Sequence, residues 1–175
     1  MSMLLKSLVT MFFGVAALLS VGCASGQAHY NVVVSPDGAL RSESPPPTIA
    51  VDVIALSGEE AANFRSMPMS GYWAPDGQLR KSKLPYIKQF TFGPGSMNAQ
   101  TLAKDDKIWD AWKGADTLFV LARLASGAGD QVGDLDPRRV IFPLSRDRWD
   151  TDTLTVDLFR NRLVRITQPK PEAKK

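Results

Sequence analysis

Two residue types that commonly build active sites are nearly missing from this chain. Its 175 residues include one cysteine, Cys23, and one histidine, His29. A lone thiol in an exported chain has no intramolecular disulfide partner. One cysteine and one histidine cannot supply the paired spacings of a zinc site. There is no glycine-rich phosphate loop and no internal repeat. Excess charge is also scarce: the net charge is +3, and Lys170, Lys174 and Lys175 carry much of it. Without a basic stripe interleaved with aromatics, the sequence does not read as a nucleic-acid binder. The longest apolar run, residues 8–19, falls short of the roughly 20 residues of a spanning helix.

What is present begins at the N-terminus. Lys6 and the free amine precede the apolar run, and Val21-Gly22-Cys23 follows it. A basic start, a short apolar stretch and small residues at a cleavage site describe a secretory signal over residues 1–22. The cysteine at that position resembles the lipobox of bacterial lipoproteins, in which the thiol is acylated. An ordinary signal with an incidental cysteine is the plainer alternative, but lipidation accounts for the unpaired thiol. Each buried methylene adds about 0.8 kcal/mol of membrane affinity, so several acyl chains hold a protein on the membrane. By the same resemblance, Ala24 in place of an aspartate implies delivery to the outer membrane, facing the periplasm. Cleavage after residue 22 of 175 leaves 153 residues, enough for one domain with a core.

Along the mature chain, residues 23–47 read as a lipidated N-terminus, spacer and proline-rich stalk. Residues 30–34 are a strand that either stands on the stalk or joins the sheet at its edge. The three prolines Pro45, Pro46 and Pro47 lack amide hydrogens, which keeps them out of a sheet interior. The compact domain spans 48–167. Strands are expected over 49–56, 86–92, 117–124, 140–144, 154–158 and 163–166 from apolar alternation or continuous apolar runs. The run 117–124 is nearly all apolar, as in a strand covered on both faces. Ser57 and Glu60 stand at capping-box spacing ahead of a short helix reaching about Arg65, with Phe64 tucked inward. Residues 105–113 read as a second helix capped by Asp105, with Gly114 in the left-handed position after it. Residues 78–83 suit one helical turn. Arg160-Asn161 forms a tight turn, with Asn161 tolerating positive φ. Residues 168–175 form a disordered tail. The fold class is mainly β: a two-sheet, largely antiparallel β-sandwich with one or two short helices.

No catalytic set emerges, and neither cofactor nor metal is expected. Asp130, Asp134 and Asp136 share a glycine-rich loop, but their spacing matches no calcium loop, and turn chemistry explains them as well. Trp109 and Trp112 read as plugs for the sandwich ends. Tyr72-Trp73, in a proline-rich segment, is either core packing or a rigid aromatic contact surface. The candidate partner-binding residues are Tyr72, Trp73, Asp130 and Asp134, carried by the loops 67–76 and 126–136.

The strand Val51-Asp52-Val53-Ile54-Ala55-Leu56, Phe64 on a short helix, Phe90-Thr91-Phe92-Gly93-Pro94-Gly95, Thr117-Leu118-Phe119-Val120-Leu121-Ala122-Arg123 and a closing hairpin follow the lipobox in order. Together they resemble the TssJ family, the outer-membrane lipoproteins of the type VI secretion system. Residues 70–83 and the late Trp149 depart from that family's pattern. The resemblance implies a transthyretin-like sandwich, no catalytic residue, and a structural docking role through the periplasmic part of an inner-membrane secretion protein. The rival reading is a periplasmic small-ligand or glycan-binding lipoprotein that stacks its ligand on Tyr72-Trp73.

Overall fold

The computed structural model describes residues 28–125 and 129–171. The signal segment, Cys23 and residues 172–175 lie outside the described residues. Among those described, no helix is long and apolar enough to cross a membrane. Eight strands form two four-stranded sheets: β1 (Asn31–Pro36), β2 (Ile49–Leu56), β3 (Lys88–Phe92), β4 (Gln100–Leu102), β5 (Thr117–Ala122), β6 (Arg139–Pro143), β7 (Thr153–Leu158) and β8 (Leu163–Arg165). The first sheet has the order β4-β1-β7-β8, the second β3-β2-β5-β6. All neighbours are antiparallel except β1 and β7, which run parallel from Asn31 opposite Thr153 to Pro36 opposite Leu158.

The sheets pack face to face and are covered unequally. Val32 and Val34 of β1 and Leu154, Val156 and Leu158 of β7 alternate inward and meet Val51, Val53, Phe90, Phe92, Leu118, Val120 and Phe142 of the second sheet. The first sheet turns its other face to water, hence the strict alternation of buried and half-buried residues along β1 and β7. In β5 all six residues are buried, as the continuous apolar run predicts. Its outward Phe119 and Leu121 lie under a helical cover with Ile54, Leu56 and Ile141. That cover comprises α2 (Gly58–Ser66) and α3 (Met69–Tyr72), with α4 (Gln78–Lys83) joined to the sheet through Arg80 and Asp52; α1 (Gly38–Ser42) and α5 (Ile108–Ala111) stand apart from it.

Several expectations need correction. Residues 30–34 belong neither to a stalk nor to an edge strand. Residues 31–36 form an interior strand with β4 on one side and β7 on the other, because Val32 and Val34 have a core to fill. Part of the proposed stalk is helical: both carboxylate oxygens of Asp37 accept amide hydrogens at the start of α1, and Leu40 is buried. The Ser57 hydroxyl makes no cap. Asp116 accepts the Gly58 amide in its place, and Glu60 instead pairs with Lys83. Asp106, not Asp105, accepts the Ile108 amide, and α5 is a single turn. Gly114 does adopt positive φ, at 85°. Asn161 does not, since no residue other than glycine does among those described. The segment 168–171 is not a loose tail: the Lys170 amide donates to the Arg148 carbonyl at 2.8 Å. Trp109 and Trp112 plug the sandwich as expected, their indoles donating to the carbonyls of Ala103 and Tyr86. His29 stacks on Trp109 at 5.0 Å from the exposed side.

The interior place of β1 yields a test of the domain boundary. A chain starting at Thr48 leaves β4 without a partner strand and uncovers the core, forfeiting about 1.5–3 kcal/mol for each lost apolar side chain. It is expected to show no cooperative thermal transition by circular dichroism, whereas a chain starting at Ala28 melts cooperatively.

Candidate functional site

Polar chemistry concentrates where the helical cover meets the second sheet. Along β2, Asp52 shares its outward face with Ile54 and Leu56, so the cover that buries them buries the carboxylate too; Asp52 is 0 % exposed. An isolated buried carboxylate is costly unless it is paired and hydrogen-bonded. Three donors from the cover meet that need. The Tyr72 hydroxyl donates to Oδ2 at 2.8 Å, and Arg80 donates through Nε at 2.7 Å and through a terminal nitrogen to Oδ1 at 3.1 Å. Burial, and then the neighbouring Asp52 charge, push the Tyr72 phenol well above its ordinary range. The Asp52 hydrogen bonds raise Arg80 further above its ordinary range. The Arg80 guanidinium also lies over the Trp73 ring, 4.8 Å from its centroid, a cation–π contact.

A second buried charge sits two strands away. Asp52 faces Leu121 in the ladder, and Leu121 faces Arg139. Arg139, 2 % exposed, donates to the carbonyls of Phe64, Met67 and Gln131. Phe64 lies in the last turn of α2 and Met67 just past it, so the cation meets the negative end of that helix. Burial lowers the Arg139 pKa from its ordinary value.

The loop 129–138 is tied in beside α3. Asp130 accepts the Ser70 amide at 2.8 Å and the Ser70 hydroxyl as well. Arg138 bridges Asp130, at 2.6 Å, and the fully buried Asp136, at 2.7 Å. The Ser70 hydrogen bonds, with Arg138 adding to them, bring the Asp130 carboxyl down to about 2. Burial works against ionisation of Asp136, yet the Arg138 and Gln131 hydrogen bonds outweigh it and lower that carboxyl too.

These contacts settle where the sequence candidates lie. Tyr72 is 1 % exposed, enclosed by Phe64, Trp73 and Asp52. Trp73 is half-buried, edge-on to Tyr72, with its flat side under Arg80. The structure therefore brings Tyr72, Trp73 and Asp130 together through α3. It sets Asp134 apart, exposed and paired with Arg165 at 2.7 Å. Among the described residues, no three His, Cys, Asp or Glu side chains are grouped to hold a metal ion.

Sequence reasoning missed Asp52, Arg80, Arg138 and Arg139. Parity along the strands carried the signal for two of them. Asp52 has apolar residues two and four places on, and Arg139 has Ile141 two places on. A charge on an otherwise apolar face is a buried charge awaiting a partner.

The fold is a two-sheet β-sandwich with one sheet under a helical cover, and its buried charges are tied up in holding that cover. No family model matches the sequence, and no curated protein does. Among solved structures, the chain is similar to the C-terminal domain (869–1107) of the type VI secretion protein TssM from EAEC. That match has a TM-score of 0.52 and 14% identity, covering 78% of this chain and 99% of that one. A structure of a type VI membrane complex matches with the same score and identity, covering 80% and 99%. Lip from Serratia marcescens, a membrane-bound component of the type VI secretion system, gives a TM-score of 0.45 at 17% identity over 83% and 99%. At such identities, what is shared is the fold.

Two substitutions test the site. Asp52→Asn leaves Arg80 without its counter-charge and is expected to cost about 3 kcal/mol of unfolding free energy in urea, the lower end of the range for a broken buried pair because Arg80 is partly exposed. The lowered Asp130 carboxyl contributes stability that is complete above its unfolded pKa and lost as the pH falls towards 2. Asp130→Asn is therefore expected to flatten the decline in stability between pH 5 and 2, by about 1 kcal/mol after allowance for solvent screening. Urea titrations across that range give the comparison.

Proposed function

We propose that this chain is an outer-membrane-anchored lipoprotein, facing the periplasm, and a structural docking component of an envelope-spanning type VI secretion complex. The observation that carries the proposal is the likeness of fold to the TssM C-terminal domain, which extends over most of this chain. The lipobox-like Val21-Gly22-Cys23 supplies the membrane attachment, through acylation of Cys23. The partner, on this reading, is the periplasmic domain of an inner-membrane secretion protein. Trp73 and the interlocked loops 67–76 and 129–136 provide the contact surface. Asp130 serves that surface from within, as the tie that holds one loop to the other. Asp134 serves it from the exposed side.

The geometry favours this over the glycan-binding alternative. A stacking platform needs two open aromatic faces, and Tyr72 is enclosed while Arg80 lies over Trp73. The buried charges likewise bind helices to a sheet, which fits a rigid body that presents loops better than it fits a reactive pocket.

Metabolic labelling with palmitate and membrane fractionation check the anchor. The full-length chain is expected to carry label and to sediment with outer membranes, and Cys23→Ser to lose both properties. In-cell crosslinking from position 132, in the second loop, is then expected to capture a large inner-membrane protein. Recovery of a soluble, unlabelled chain, or crosslinks to no such protein, would overturn the proposal.

A further inference from the structure

A cleft of about 200 Å³ opens beside α4, lined by Ala50, Trp73, Ala74, Gly77, Arg80, Lys81 and Arg123 among others. Its wall is the turn between α3 and α4, which closes through the Gly77 amide on the Ala74 carbonyl at 2.9 Å. A Cβ at Gly77 would sit 2.8 Å from the Gly71 carbonyl oxygen and 2.9 Å from that of Tyr72, so only glycine lets the turn fold this tightly.

The charges around the cleft do not balance. Arg80 has Asp52 beneath it. Lys81 and Arg123 are exposed, and neither forms an ion pair or side-chain hydrogen bond among the described residues. Asp76, in the same turn, does not line the cleft. The Trp73 Nε1 hydrogen is buried and has no acceptor. Among the described residues, two cations without side-chain partners and one spare guanidinium edge thus line the cleft, with the Trp73 ring packed under Arg80. An oxyanion meets these three cationic groups at once: arginine and lysine supply charge, and their N–H donors supply direction.

We infer that this cleft binds the carboxylate of an acidic protein segment. The inference rests on the docking reading for the claim that the ligand is part of a protein. The position of the cleft supports a protein source. It lies where β2 begins and β5 ends, since the Arg123 amide donates to the Ala50 carbonyl at 2.8 Å. The described chain enters at the opposite end of the sandwich, where the Asn31 amide donates to the Asp152 carbonyl. A lipid headgroup at the anchored end is accordingly remote from it.

The test uses hexaglutamate as probe on the chain from Ala28, with the Trp73 indole N–H followed by NMR. Hexaglutamate is expected to shift that resonance, and Lys81→Gln with Arg123→Gln to weaken binding about five- to tenfold each, the scale of one partly exposed charge-assisted hydrogen bond. Both side chains are exposed, so the variants should melt like the parent. An unmoved indole, or variants that bind as well as the parent, overturns the inference. So does a parent chain that binds phosphatidylglycerol vesicles or inorganic phosphate more tightly than hexaglutamate. Crosslinking in cells separates the two readings. Partner capture undiminished by the double variant sinks only the cleft, whereas no capture by the parent sinks docking itself.

Discussion

The structure depends on a carboxylate placed where water cannot reach it. Asp52 lies in the middle of a sheet that is covered on both faces, and its charge is tolerable only while Tyr72 and Arg80 point at it. Those two residues come from the connection between β2 and β3, which would otherwise run over the sheet with few constraints. The need to satisfy one buried group therefore orders a segment of some thirty residues. Arg139 performs the reciprocal task across the same sheet, holding the carbonyl end of α2. The two charges are separated by Leu121 along one ladder row, so each anchors its own part of the cover. Apolar residues in both places would pack as well, but they would not specify which helical turn sits above which strand.

The asymmetry between the sheets explains which parts of the fold could be read in advance. Where a strand is apolar along its whole length, as in β5, or strictly alternates, as in β7, pattern alone locates it within a residue or two. Strand β2 was legible to the residue. The three-residue β4 was not, because Gln100-Thr101-Leu102 offers one buried side chain and gains its place from pairing with β1. The prolines at 45–47 left the strand ahead of them with two places, on a stalk or at the edge of a sheet, and neither is the interior position it takes. What they terminate is in fact α1, a single turn that follows an interior strand.

The candidate site was less legible for a related reason. Exposed aromatics and clustered aspartates are visible in a sequence, but their partners are not. Tyr72 and Asp52 are 20 positions apart, and Ser70 and Asp130 are 60 apart. Nothing local reports those distances. Parity does report that Asp52 and Arg139 must be paired, since each shares an outward face with large apolar residues. Only the fold reveals that their partners are a phenol, a guanidinium and the carbonyls of a helix end.

Polarity of the body links these parts. Followed from Asn31, β1 runs beside β7 to Leu158, a path of about 20 Å at ordinary strand rise. There β8 begins, and the Leu163 amide donates to the Pro137 carbonyl just before β6. Both Arg138 ties and the loop that holds Ser70 sit at that far end. At the near end lie Asp152, Trp149 and the Pro143 carbonyl that Trp149 engages. On the proposed reading, a tether joined ahead of residue 28 pulls on one end of the sandwich, while the ion-paired loops and the cationic cleft occupy the other. Force along such an axis loads β1 in shear against two neighbouring strands. That is the arrangement in which backbone hydrogen bonds share a load instead of breaking one at a time. An interior β1 is therefore more than a boundary detail: as the first described strand, it is where a body tethered in the proposed way would need its strongest seam.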